Sequence, residues 1–391
     1  MKLSNSGINK FLDCPRSFKL HYETRLRSLY KSSALIFGAA IDQGLNEILA
    51  GKSLDEAKAT FVDHWTINYD YNDKPFEVSH YPYITYSDSD FDFDLLTKKD
   101  FAIIHENYST VSSKIGSNIF EILNYVKDRK RELGSVRQID IDILIHYNLI
   151  NWCVLKNKGQ LMIEAYYNQI LPNFKQIIDI QKTVNLDSAC GDSINGVVDL
   201  VAELDNGIVA IIDNKTAAWD YDADSVKTSQ QLTMYKIILN NLYNDGLNKY
   251  KVDKCGYAVI KKKPIKNTEK VCKSCGFKGE GRHETCNNMI EGKRCGGEWD
   301  KKVSISFETQ FIVDDITEHQ EDIVFETINM VTELVNKKVY LPNMSACVGK
   351  FGKCVFFDYC HNKSEAGLVI LPDKETVFDK VKKEDKNGKK E

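Results

Sequence analysis

The sequence predicts a mixed α/β protein, with a central sheet flanked by helices. Three observations predict it. Apolar strands over residues 197–204 and 208–212 flank Asp205-Asn206-Gly207, a hairpin signal in which Asn-Gly supplies the positive φ angles of a tight turn. A helical apolar pattern over 229–242 and a further apolar strand over 251–260 follow, so strands and helices alternate. The chain has 391 residues, 42% of them hydrophobic and 28% charged, which suffices for a full core and for more than one domain or a large insertion.

Taken in order, Ser4 or Asn5 caps an N-terminal helix whose Ile8, Phe11, Leu12 and Phe18 recur at helical spacing. Pro15 breaks that helix and leaves Cys14 at the kink. Between residues 34 and 51, Gly38, Ala39 and Ala40 permit close packing, while Ile41, Leu45 and Ile48 form an apolar helix face that also carries Asp42. Helices near 54–65 and 117–133 flank a stretch rich in Tyr and Asp at 66–98, which reads as an irregular surface excursion serving a partner or plain packing. The run KDRKRE at 127–132 touches phosphates or is a solvated helix face. A helix over 159–170 stops before Pro172, and a strand over 174–186 places Asp179 and Gln181 on one side. Beyond the core hairpin, a strand over 301–313 and a helix over 316–337 lead to a charged tail from residue 373.

The chemistry concentrates on the hairpin. Asp199 lies inside the first strand, and the second runs straight into Asp213, with Lys215 two positions on. An apolar strand excludes ionised carboxylates unless a partner offsets the cost of desolvation. A divalent cation does so: carboxylate oxygens suit Mg²⁺ or Mn²⁺, and the ion polarises a phosphate and acidifies water. Lys215, on the same strand face as Asp213, can orient the attacking water and offset developing negative charge. The bland alternative is a surface hairpin with a solvated Asp-Lys pair. Gln231 and Tyr235, one helical turn apart, face one groove.

A net charge of −4 excludes an overall basic nucleic-acid binder, so DNA contact requires a local patch. No apolar run reaches about 18 residues and the opening MKLSNSGINKF is not a secretory signal, so a cytoplasmic protein without a membrane partner is expected. No G-x-x-x-x-G-K-[ST] phosphate loop occurs, and any helicase motor belongs to another chain.

Of eleven cysteines, seven cluster in two places. Cys272, Cys275, Cys286 and Cys295 follow C-x2-C, ten residues, Cys, eight residues, Cys, with glycine after Cys275 and Cys295. Four thiolates at that spacing satisfy tetrahedral Zn²⁺ and define a structural zinc ribbon, with His283 the alternative ligand. Its Lys273, Lys278, Arg282, Lys293 and Arg294 leave three roles open: DNA contact, protein contact and stabilisation. Cys347, Cys354 and Cys360 form the second group, while Cys153, Cys190 and Cys255 read as buried thiols.

The pattern G-x-x-D (Gly196, Asp199), D-x-K-T (Asp213 to Thr216) and Q-x-x-x-Y (Gln231, Tyr235) resembles the RecB-like branch of the PD-(D/E)XK nuclease superfamily. The resemblance implies a restriction-endonuclease-like core in which Asp199 and Asp213 bind Mg²⁺ or Mn²⁺, the Asn214 carbonyl is a further ligand and Lys215 is the catalytic lysine. Gln231 and Tyr235 then support the site or contact DNA. At residues 4–18, S-x-S-x4-F-x2-C-P-R-x-F is similar to the opening of iron-sulphur members of that branch, including AddB-type nuclease subunits and CRISPR-associated exonucleases. That similarity implies that Cys14, Cys347, Cys354 and Cys360 hold a [4Fe-4S] cluster joining the two ends of the chain. Here the last three follow C-x6-C-x5-C instead of the family's C-x2-C-x5-C, so zinc stays an alternative. Where relatives read G-x-x-x-H, this chain has Gly38 and Asp42, making Asp42 a third carboxylate of the site or a solvated helix residue.

The resemblance further implies DNA as substrate and exonuclease action on single strands or ends, in recombination, repair or phage DNA processing. Helicase, recombination or replication proteins are the implied partners, in a bacterial or phage-infected cell. An endonuclease and a non-catalytic binding scaffold are the competing readings. The expected organisation is a nuclease core over 1–265 with an insertion at 52–156, a zinc ribbon over 266–300, the end of the core with the cysteine cluster over 301–372, and a disordered tail over 373–391.

Overall fold

The computed structural model describes residues 2–28, 31–65, 84–85, 93–106, 125, 128, 141–187, 193–279, 283–349 and 352–371. Most of the Tyr- and Asp-rich stretch, the expected helix at 117–133 with its basic run, Cys190, Arg282 and the tail 373–391 lie outside these residues, apart from residues 125 and 128.

The central sheet has six strands: β1 (Lys2–Leu3), β2 (Phe174–Asp187), β3 (Ser193–Leu204), β4 (Val209–Ala217), β5 (Lys254–Lys261) and the strand Thr309–Asp314. β3 carries antiparallel β2 along one edge. Its other edge holds antiparallel β4, from Leu200↔Ile212 to Glu203↔Val209, and parallel β1 at Lys2↔Ser193. β4 and β5 run parallel, which requires a crossover, and a helix over Gln230–Asn244 supplies it. Strand Thr309–Asp314 closes the sheet antiparallel to β5. Six successive buried residues, Cys255 to Ile260, mark β5 as covered on both faces.

The hairpin turn differs from the expected one. Gly207 alone takes a positive φ, 79°, and four residues separate Leu204 from Val209. Leu204 N–H donates to the Ile208 carbonyl and Gly207 N–H to that of Leu204, both at 2.9 Å, a turn closed by one left-handed glycine. Asn206 contributes through its side chain, whose Oδ1 accepts from Ile208 N–H at 3.2 Å.

Helices cover both faces. On one lie α1 (Asn5–Asp13), the crossover helix Gln230–Asn244 and the helix Glu318–Asn336. On the other lie α2 (Ser33–Leu49), α3 (Leu54–His64) and, after α4 (Lys98–Glu106), the 29-residue α5 (Ile141–Gln169). In chain order the two helices on the first face are α6 (Gln230–Asn244) and α7 (Glu318–Asn336). Caps set their starts: Ser4 Oγ accepts from Gly7 N–H, and Ser53 with Glu56 and Thr317 with Gln320 form capping boxes on α3 and α7. Leu12 of α1 is exposed, contrary to expectation, because only Gly7, Ile8 and Phe11 face the sheet.

α5 begins 18 residues before its expected start at 159. Within 150–155 it packs on several sides at once, with Ile150, Cys153, Val154 and Leu155 all buried, so no single apolar stripe marks that stretch in sequence. Trp65 and Trp152 lock α3 to α5 by donating each indole N–H to the other's backbone carbonyl, at 3.1 and 2.8 Å. Asp100 of α4, almost fully buried, accepts from Thr97 backbone N–H, Asn157 Nδ2 and Lys156 Nζ, each at 2.8 or 2.9 Å. Burial raises its pKa, but these donors prevail and hold it down at about 2.

The expected single strand at 301–313 is two strands in two sheets. β6 (Ile265–Cys272) and β7 (Trp299–Ser306) pair antiparallel as an arm, and β8 (Thr309–Asp314) is the sheet strand met above. Between them Phe307 is buried and its carbonyl accepts from Gln169 Nε2 at 2.9 Å, which anchors the chain where it passes from one sheet to the other. At the far end, Leu368–Ile370 pairs antiparallel with Leu26–Ser28 and ties the C-terminal segment to the N-terminal one. Among the described residues no helix is long and apolar enough to cross a membrane.

Candidate active site and cysteine centres

Strand register brings the two hairpin aspartates together. The pair Leu200↔Ile212 sets Asp199 beside the start of Asp213-Asn214, and Asp199 Oδ2 accepts from Asn214 N–H at 3.0 Å. Asp213 is only 2% exposed. Its Oδ1 accepts from Gln231 Nε2 at 3.2 Å, and its Oδ2 lies 2.5 Å from Lys215 Nζ. Gln231 Nε2 also reaches Tyr235 Oη at 3.4 Å, so one turn of α6 backs the carboxylate. From α2, Asp42 lines a cavity of about 390 Å³ together with Asp199, Asn214 and Lys215. The structure therefore gathers Asp42, Asp199, Asp213, Asn214, Lys215, Gln231 and Tyr235 in one region.

Asp179 does not join them. It accepts from Lys182 Nζ at 2.7 Å and Tyr250 Oη at 2.5 Å, away from the cluster. Gln181 adopts a φ of 49°, which interrupts the alternation of β2, and donates instead to Asp42 Oδ2 at 3.2 Å and Asn46 Oδ1 at 3.4 Å.

Burial raises the pKa of all three carboxyls. For Asp42 the next cause is the charge of Asp213, and for Asp199 the charges of Asp213 and Asp42. Asp213 is raised by burial against the opposing pull of Lys215. Burial alone would lower Lys215, but Asp213 and Asp199 outweigh it and keep the ammonium charged. Three crowded acids facing one ammonium lack positive charge, and Asn214 borders the same cavity. This donor set fits a divalent cation, which when bound polarises a phosphodiester and makes an attacking water more acidic. Without it, Lys215 can still hold a proton on the Asp213 side of the cavity and face an incoming anion.

Three contributors escaped sequence reasoning. Tyr166 of α5, fully buried, donates from Oη to Asn214 Oδ1 at 3.0 Å, yet a tyrosine in an apolar helix reads as core. Gln181 supports Asp42, as described. Gly196 had a signal in G-x-x-D but no visible reason: a Cβ there would lie 2.4 Å from a Tyr235 ring carbon. Absence of that atom lets the α6 tyrosine pack three residues before Asp199.

The two cysteine groups differ in spread. In the arm, Cys272 Sγ lies 3.6 Å from Cys295 Sγ and Cys275 Sγ lies 3.7 Å from Cys286 Sγ, with all four sulphurs within 4.8 Å of one another. Four thiolates around one tetrahedral ion with bonds of about 2.3 Å sit about 3.8 Å apart, so this set fits a single metal. Gly276 and Gly296, at φ 69° and 62°, turn the chain around it. His283 stays out of the group, its carbonyl accepting from Trp299 Nε1 at 3.0 Å. Cys14, Cys347, Cys354 and Cys360 instead line one cavity of about 140 Å³, and their sulphurs do not share that close grouping. Asn343 joins the ends there, donating from N–H to Cys14 Sγ at 3.4 Å and from Nδ2 to the Asp13 carbonyl at 2.8 Å. Four thiols that line one void are a ligand set for a metal centre. Cys153 and Cys255 are buried in the two cores, and burial pushes each thiol up to about 12.

A mixed sheet that presents carboxylates and a lysine from a β-hairpin, backed by a glutamine from the crossover helix, defines a restriction-endonuclease-like core. The family model of the PD-(D/E)XK nuclease superfamily matches residues 120–361, more than half of the chain, and the chain belongs to that superfamily. Its members are divalent-metal phosphodiesterases that act on DNA. A search of curated proteins finds no match.

Proposed function

We propose that this protein is a RecB-like, divalent-metal-dependent DNA exonuclease acting on single strands or ends. The observation that carries the reading is the convergence of Asp42, Asp199 and Lys215 on one cavity, with Asp213 buried beside Lys215. In this reading Asp199, Asp213, Asp42 and the Asn214 carbonyl hold Mg²⁺ or Mn²⁺. Lys215 orients the attacking water and offsets the charge that develops on the phosphate. Gln231 and Tyr235 position Asp213. The arm cysteines hold Zn²⁺ as a structural site, and Cys14, Cys347, Cys354 and Cys360 hold a [4Fe-4S] cluster that staples the chain ends. Recombination, repair or phage DNA processing, beside a separate helicase, is the setting this chemistry suits.

The test incubates anaerobically purified protein with end-labelled linear and with circular single-stranded DNA, in Mg²⁺ or Mn²⁺, beside Lys215→Ala. Loss of the linear strand only, abolished in the variant, is the expected result. Cutting of circles would replace the exonuclease reading with an endonuclease. Binding without cleavage in either metal would leave a scaffold.

A further inference from the structure

A second cavity, of about 380 Å³, is lined by Gln231, the same side chain that donates to Asp213 Oδ1 at 3.2 Å. Ser4, Asn5 and Ser6 line it from the first turn of α1, Thr183 and Asn195 from β2 and β3, and Gln231 with Tyr235 from α6. The N-terminal S-x-S and the Q-x-x-x-Y, more than 220 residues apart in sequence, thus share one wall-to-wall space. Its chemistry is unlike that of the first cavity. No Asp, Glu, Lys or Arg lines it, whereas Asp42 and Asp199 face the first. Four hydroxyl-bearing residues line it: Ser4, whose Oγ also caps α1, and Ser6, the two Oγ atoms 3.0 Å apart, Thr183, and Tyr235, whose Oη also accepts from Gln231. Asn5 also lines it, and its Oδ1 is buried without a hydrogen-bond partner among the described residues.

We propose that this cavity is a second substrate subsite, which grips the sugar-phosphate backbone of the nucleotide next to the one being cut. The proposal rests on the nuclease reading. Hydroxyls and amides donate to phosphate oxygens, and the absence of carboxylates removes the repulsion a phosphodiester would otherwise meet. The volume lies in the range of small-ligand sites. Connectivity sets the position: Gly196 and Val197 of β3 border this cavity, Asp199 borders the other, and Gln231 bridges to Asp213 at 3.2 Å. The two cavities are thus bordered by neighbouring residues of one strand, Val197 and Asp199, which sets the subsite beside the carboxylate cluster. Contact at the second cavity reaches Asp213 only through Gln231, and Ser6 and Thr183 are binding residues of the subsite.

The test measures binding of a fluorescent single-stranded hexanucleotide, and of an abasic hexamer with the same phosphates and no bases, by anisotropy in Ca²⁺. Ser6→Ala with Thr183→Val leaves the Ser4 cap intact and should weaken both ligands alike, by roughly 5- to 30-fold for two lost hydrogen bonds. Asn195→Leu, which fills the cavity with an apolar side chain, should weaken both at least as much at an unchanged melting temperature. Equal affinity of the wild type and both variants overturns the subsite. So does a loss confined to the strand that carries bases, since that would mean base contact. Asp213→Asn separates the two claims: it should abolish hydrolysis in Mn²⁺ while the effect of the cavity variants on binding persists. Variant-sensitive binding by a wild type that hydrolyses nothing would sink the nuclease reading and leave the subsite standing.

Discussion

At the residue scale, the site is a problem of charge. Asp213 is buried with one close cation, and Asp199 and Asp42 add further negative charge that burial makes harder to bear. Replacing Lys215 by Ala should therefore slow single-turnover cleavage by roughly 10²- to 10³-fold, the loss typical of one preorganised charge-stabilising group, with little change in DNA affinity. The same crowding has a pH signature. Burial and its neighbours push Asp199 up to about 8 from an ordinary 3.8, so the folded metal-free protein holds a proton that the unfolded chain releases. The contribution of this site to stability is full below about pH 4 and falls as pH rises toward 8. A divalent ion competes with that proton. Calorimetry should show Mn²⁺ raising the melting temperature more at pH 8 than at pH 6, and an equal rise at both would contradict the assignment.

At the element scale, the hairpin and α6 work as a unit because Gly196 admits the Tyr235 ring. Gly196→Ala should cost about 1–3 kcal/mol through overpacking and should lower cleavage with it, read by chemical denaturation beside an activity assay. α4 offers a contrast away from the site. Its Asp100 is nearly buried, paired with Lys156 at 2.8 Å and bonded to Thr97 and Asn157. Asp100→Ala strands the Lys156 charge and should destabilise by about 3–5 kcal/mol, while activity per folded molecule is retained. Helix α5, whose Tyr166 touches Asn214, shows why element bounds are poorly legible: a helix buried on several sides has no polar face to reveal its period.

At the scale of the whole molecule, two cysteine groups act over very different distances. The arm group closes a local loop, so Cys286→Ser should lose one equivalent of zinc by elemental analysis and loosen the arm without lowering the core transition. In the proposed cluster the other group joins residues 333 apart, Cys14 and Cys347. By the loop-entropy relation for a cross-link, holding them together is worth on the order of 5 kcal/mol. Cys14→Ala should thus lower the melting temperature of the whole protein and bleach the visible absorbance of an iron-sulphur cluster. A protein whose absorbance lacks that band but retains a second equivalent of zinc would reassign the staple to zinc.

The sequence by itself determined the mixed α/β class, the hairpin with its aspartates and lysine, the helix carrying Gln231 and Tyr235, and the two cysteine groups. Each is local: a turn residue, an apolar period or a ligand spacing that a short window contains. Tertiary structure alone decided which residues meet. It turned Gln181 toward Asp42 and left Asp179 with Lys182 and Tyr250, because one left-handed φ overrides strand alternation. It split the expected strand at Phe307, where burial of a ring fixes the passage between two sheets. It set Ser4 and Ser6 against Tyr235, since closing so long a loop depends on packing of α1 and α6 over one sheet and not on any property of the intervening sequence.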